Sequence, residues 1–106
     1  MSGGRHEIVV SCATAGEGWQ CRVALDGRFD FDVQVSGAEL GRYGPGEVEP
    51  SPLVEESFRF LLEREPASSI MTRFSVSVIE RYFPEYPAEI QRRMAAVADD
   101  RGAAGG

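Results

Sequence analysis

From residue 8 onward, hydrophobic and polar positions alternate in three successive runs. In the first, Ile8, Val10 and Cys12 fall on one side, with Val9, Ser11 and Ala13 on the other. The second sets Trp19, Cys21, Val23 and Leu25 against Gln20, Arg22 and Ala24. The third sets Phe29, Phe31, Val33 and Val35 against Arg28, Asp30, Asp32 and Gln34. A period of two marks strands with one buried face, so the pattern predicts a three-stranded antiparallel meander.

The turns predict its register. Gly16-Glu17 suits a two-residue hairpin loop, with glycine supplying a positive φ, and this places Ala15 opposite Gly18 and Cys12 opposite Cys21. Asp26-Gly27 suggests a second two-residue loop, but that register would put Leu25 opposite Arg28. Directly opposed residues share a face, so the apolar sides match only when Leu25 meets Phe29. A three-residue loop, Asp26-Gly27-Arg28, is therefore expected, with a bulge that leaves one residue unpaired. Val23 then faces Phe31, Cys21 faces Val33, and Arg22 meets Asp32 on the outer side. Strand one or strand three must form an edge, and Asp30 and Asp32 read as protection of that edge.

Beyond residue 36 the period changes. A single helical turn is expected at 37–43 within a connector that ends in Gly44-Pro45-Gly46 and Pro50. Ser51 then reads as an N-cap and Pro52 as the first helical position. Leu53, Val54, Ser57, Phe58, Leu61 and Leu62 recur at helical spacing, with Glu55, Glu56, Arg59 and Glu63 opposite, so a helix over 52–65 should cover the sheet until Pro66 stops it. Ser68 or Ser69 starts a short turn through Arg73. Ser75 caps a short helix carrying Val78, Ile79 and Tyr82, and Pro87 opens a last helix with Ile90, Met94 and Val97 on one side. The expected fold class is α+β: a three-stranded antiparallel β-meander packed against two to four short C-terminal helices in two layers. One domain spans 6–98, between disordered segments at 1–5 and 99–106.

Composition narrows the chemistry. The 106 residues suffice for one domain. The net charge of −6 argues against nucleic acid as a ligand, since counterion release rewards basic surfaces. All eleven basic residues are arginine, with neither Lys nor Asn present, a codon bias that points to a GC-rich bacterial genome. Lysine-dependent Schiff-base and P-loop chemistry is excluded. No apolar run approaches the ~20 residues of a membrane span, and no apolar leader is visible, so a cytoplasmic location is expected. There Cys12 and Cys21 are expected to be two small buried thiols, with a disulfide as the alternative.

No G-x-G-x-x-G, Walker, H-E-x-x-H or C-x-x-C pattern occurs. His6 stands alone and reads as a surface histidine. Glu80, Glu85 and Glu89 cluster in sequence and read as a solvated or arginine-paired face, with Arg81 the nearest cation. Tyr82-Phe83-Pro84-Glu85-Tyr86-Pro87 is the most unusual segment: three aromatics and two prolines in a stiff corner. Tyrosine and arginine often anchor interfaces, so Arg81, Tyr82, Phe83, Glu85 and Tyr86 are the candidate partner-binding residues. No catalytic residue, metal ligand or cofactor is assigned.

The run Phe58-Arg59-Phe60-Leu61-Leu62-Glu63-Arg64-Glu65-Pro66, followed by Ser69-Ile70, Arg73-Phe74, Val78-Ile79 and Arg81-Tyr82-Phe83-Pro84-Glu85-Tyr86, resembles a group of short uncharacterised bacterial proteins. The resemblance spans about residues 8–90 and implies a small cytoplasmic bacterial domain, with no site carried over. The expected function is a non-enzymatic protein-interaction or regulatory module that binds a protein partner or a second copy of itself. The alternatives are a small-molecule binding domain with a pocket between sheet and helix, or a small enzyme using Glu80, Glu85 or Glu89.

Overall fold

The computed structural model describes residues 6–105, with side chains through Asp99. The N-terminal segment expected to be disordered, 1–5, lies outside the described residues. The element order is β1 (Ile8–Ala15), β2 (Gly18–Leu25), β3 (Phe29–Ser36), α1 (Gly37–Tyr43), α2 (Ser51–Leu62), a 3-10 turn at Ala67–Ser69, β4 (Arg73–Ser75), α3 (Val76–Tyr82) and α4 (Tyr86–Gly105). The backbone of α4 thus runs through most of the segment placed in the C-terminal tail.

The meander has the register that its alternation predicts. Ala15 pairs with Gly18 and Cys12 with Cys21, while Leu25 pairs with Phe29, Val23 with Phe31 and Cys21 with Val33. In the second turn Asp26 and Gly27 adopt φ of 56° and 66°, and the Arg28 N–H donates to Leu25 O at 3.0 Å. Two successive left-handed residues turn the chain tightly, and Arg28 is the extra residue that brings Leu25 level with Phe29. Gly18 is required for a different reason: a Cβ there would lie 2.3 Å from the Val35 carbonyl oxygen of the neighbouring strand.

The sheet has a fourth strand. Its order is β1-β2-β3-β4, and β4 runs parallel to β3, pairing Asp32 with Arg73, Val33 with Phe74 and Gln34 with Ser75. The expectation of three antiparallel strands is corrected to four in a mixed sheet, because residues 73–75 are strand rather than the end of a turn. Asp32 is corrected with it. It lies between Arg22 at 2.9 Å and Arg73 at 3.9 Å, so it belongs to a cross-strand charge cluster and not to an edge. Among the described residues the edges are β1 and β4.

The core lies between the inner sheet face and the helices. Cys21, Val23, Leu25, Phe31, Val33 and Val35 meet Leu53, Val54, Phe58 and Leu61 of α2, and α4 adds Ile90 and Met94. Phe31 and Phe58 touch with ring centroids 5.0 Å apart. α4 packs chiefly on α2, with further contacts to α1 and α3. α1 begins with a capping box that the sequence reading did not use: Ser36 Oγ accepts from the Glu39 N–H, and Glu39 accepts from the Ser36 N–H. The second oxygen of Glu39 accepts from the Ser77 N–H at 3.0 Å, so one carboxylate secures the starts of both α1 and α3.

Cys12 and Cys21 are bridged by a disulfide. The expectation of two free thiols is corrected: the register brings the two sulfurs together across the inner face, where a bond can form. Structural disulfides belong to oxidising settings, which sets the bridge against the cytoplasmic expectation. No helix among the described residues is long and apolar enough to cross a membrane.

Candidate functional site

The five candidate residues around the aromatic corner do not share one surface. Tyr82 ends α3 and is 65 % exposed, whereas Tyr86 starts α4 and is fully buried. The Tyr86 hydroxyl lies 2.6 Å from Ser57 Oγ, and Ser57 in turn donates to Leu53 O at 2.7 Å. Its ring rests on Phe60 and Tyr43, with centroids 5.2 and 5.0 Å away. Burial pushes the Tyr86 hydroxyl well above the ordinary tyrosine value. Tyr86 is therefore a core residue, and its assignment to a contact surface is corrected. Phe83 is half-buried against Phe60 at 5.8 Å. Arg81 is exposed.

Arg64 explains how the corner is held. Its guanidinium sits 3.6 Å from the Phe60 ring centroid, donates to Phe60 O at 3.1 Å and donates to Glu85 at 3.0 Å. One side chain thus ties the end of α2 to the turn between α3 and α4. A cation over an aromatic face with a carboxylate beside it satisfies both of its preferences.

The three glutamates are separate ion pairs. Glu80 accepts from Tyr43 Oη at 2.7 Å and from Arg42 at 2.9 Å. Desolvation, followed by that hydrogen bond, pushes Tyr43 up to about 12. Glu85 is held below the usual carboxylate range by its own backbone N–H and by Arg64. Glu89 is held down by Arg93 and Arg92, and Arg93 also reaches Glu63 at 2.7 Å. The arginine-paired reading applies, but the partners are Arg42, Arg64, Arg92 and Arg93 rather than Arg81. Glu85 and Glu89 are thereby held in the ionised form and are poorly placed to deliver a proton. His6 Nδ1 lies 2.8 Å from Asp26, which also accepts from the Glu7 N–H at 2.7 Å. Among the described residues no three His, Cys, Asp or Glu side chains are grouped to hold a metal.

A concave surface does form beside Tyr82. Its buried wall is Leu61, Ile70, Phe74 and Ile79, and its rim carries Met71, Tyr82 and Phe83, with Glu65 and Ser69 supplying the polar groups. The cleft encloses about 270 Å³. Met71 is 42 % exposed, so two large apolar side chains stand in water at one opening. Sequence reasoning had Tyr82 and Phe83 but missed Ile70, Met71 and Phe74. Their signal was present as apolar residues lying outside any helical repeat, in the short segment that turns into β4.

No protein family, curated protein or solved structure matches this chain.

Proposed function

We propose that this protein is a non-enzymatic interaction module that uses the cleft between the end of α2, β4 and α3. The observation that carries this reading is the exposure of Tyr82 and Met71 over an apolar wall. Large apolar side chains in water around a concavity are a common mark of a docking site. The arginine pairing of Glu80, Glu85 and Glu89 supports binding over catalysis. Arg81, Tyr82 and Phe83 remain the contact residues of the original set, joined by Met71. The recognised group is an apolar side chain seated against Ile70 and Phe74, with a hydrogen-bond donor or cation next to it for Glu65. A bacterial setting is part of the same reading and rests on codon bias and on the helical signature, which itself runs through the cleft from Leu61 to Phe83, while the Cys12–Cys21 bridge favours an oxidising compartment over the cytoplasm.

The test is capture of partners by the tagged protein from a lysate of its own cell, in parallel with Tyr82→Ala and Met71→Ala. Both residues are exposed, so their melting temperatures should stay near that of the parent. A stoichiometric protein retained by the parent and lost with both variants is the expected result. Retention with both variants would move the interface elsewhere. A melting temperature raised by a small metabolite and not by any protein would favour the small-molecule reading.

A further inference from the structure

Among the described residues, β1 has a neighbour on one side only. In an antiparallel pair, alternate residues exchange backbone hydrogen bonds with the partner strand, and those between them point away. The phase here is set at both ends of β1. Gly16-Glu17 closes a two-residue loop at Ala15 and Gly18, and the Asp26 N–H donates to Glu7 O at 2.8 Å. Val9, Ser11 and Ala13 therefore direct their N–H and C=O groups to β2. Ile8, Val10, Cys12 and Thr14 direct theirs to the free edge. The Cα atoms of Cys12 and Cys21 are 4.0 Å apart, the close approach of a pair that does not exchange bonds.

Natural sheets blunt such edges with charge, proline, bulges or short strands. β1 uses none of these. Its eight residues, IVVSCATA, include no charged residue and no proline, and its eight pairs with β2 run without a bulge. The opposite edge is protected, since β4 has three residues and one of them is Arg73. Both faces beside β1 are also incompletely covered. Val9 is 51 % exposed on the outer face. On the inner face Val10, Cys12 and Thr14 line an open groove of about 320 Å³ with Trp19 and Pro50.

We propose that β1 pairs antiparallel with β1 of a second copy, about a two-fold axis at Ser11, to form one continuous sheet. In this register Ile8 faces Thr14 of the second copy and Val10 faces its Cys12, so every edge-directed group finds a partner. On the outer face Val9 meets Ala13 of the second copy, large against small, and Ser11 meets Ser11. A second copy suits this edge better than an unrelated strand for two reasons. Identical antiparallel strands close under two-fold symmetry and leave no free edge at the junction. In a chain of net charge −6, β1 is a neutral stretch that does not repel its own copy. The inference stands on the edge strand and is independent of the cleft beside Tyr82.

Sedimentation equilibrium of the parent and of Ser11→Glu, with melting curves to check folding, is the first measurement. Ser11 is exposed on the outer face, and the variant would set two carboxylates directly opposite each other at the axis. The expected result is a dimeric parent and a folded, monomeric variant. Ser11→Cys, oxidised and mapped by peptide mass, gives a second readout that does not depend on the glutamate variant folding. It should form a covalent dimer through residue 11, and Gln34→Cys on β3 should not. A parent that stays monomeric across the concentration range, a dimer indifferent to Ser11→Glu, or failure of Ser11→Cys to cross-link would each overturn the assignment. A dimer cross-linked through Gln34→Cys would place the contact on the sheet face instead.

Discussion

The strand half, 8–36, and the helical half, 51–99, bury similar side chains by different means. In the strands the backbone decides. Two tight turns set the register, each strand lies beside its neighbour in sequence, and a disulfide closes a separation of nine residues. In the helices side chains decide. Phe60, Tyr86 and Phe83 interlock, and Arg64 and Arg93 both approach the Phe60 ring. A sheet tolerates mild changes in its buried residues as long as the turns hold. A helical layer built around one aromatic knot depends on that knot.

Three measurements separate the two modes. Phe60→Ala should have the largest effect, a loss of about 3–5 kcal/mol in urea unfolding, because a fully buried ring leaves a cavity and strips two arginines of their platform. Phe29→Ala in the strand half should cost clearly less, since Phe29 is only half-buried. Equal costs would erase the distinction. Next, replacing both Cys12 and Cys21 with alanine should lower stability by about 2–3 kcal/mol through the lost loop constraint. Reductant should lower the parent similarly and leave the variant unchanged. The smallest effect is electrostatic. Asp26 is held below its usual range first by the His6 hydrogen bond and then by the Glu7 N–H. A depressed carboxylate contributes stability that is complete above its unfolded value, near pH 4, and is lost as pH falls through the folded value. Asp26→Asn should therefore lower the melting temperature slightly at neutral pH, and its difference from the parent should shrink as pH falls below about 4, which flattens part of the acid limb. An unchanged acid limb would show that the His6–Asp26 contact contributes nothing.

The same contrast explains what could be read from the sequence. The meander was legible to the residue because a slip by one would send every apolar side chain to the wrong face. Leu25 opposite Phe29 followed from that constraint alone. β4 was hidden because three residues have no period, and their partner strand lies 41 residues back at Gln34 and Ser75. Asp32 was misread for the same reason, as its neighbour Arg73 becomes visible only once β4 is in place. On α2 the stripe from Leu53 to Leu61 was legible, but Phe60 was not, because α4 widens the buried arc beyond the side that meets the sheet. Tyr82 and Tyr86 looked equivalent in sequence. They differ because one ends a helix facing water and the other begins the next helix facing the core. The carboxylate partners were missed because Arg42 and Arg64 are 38 and 21 residues from Glu80 and Glu85.

The three-pair ladder between β3 and β4 bears on the timing of motion in this molecule. The hairpins of the meander close short loops, whereas β4 can dock only after the intervening chain has been drawn in. β4 should be the last strand to form and the first to open in the native state, with its own low opening free energy. The amide of Asp32, which donates to Thr72 O at 2.7 Å, reports on it directly. Its hydrogen exchange should outpace that of Val23 in the middle of the sheet. Because Phe74 of β4 is part of the cleft wall, anything seated there would also hold the strand shut, and slowed exchange at Asp32 would register occupancy without the occupant being known.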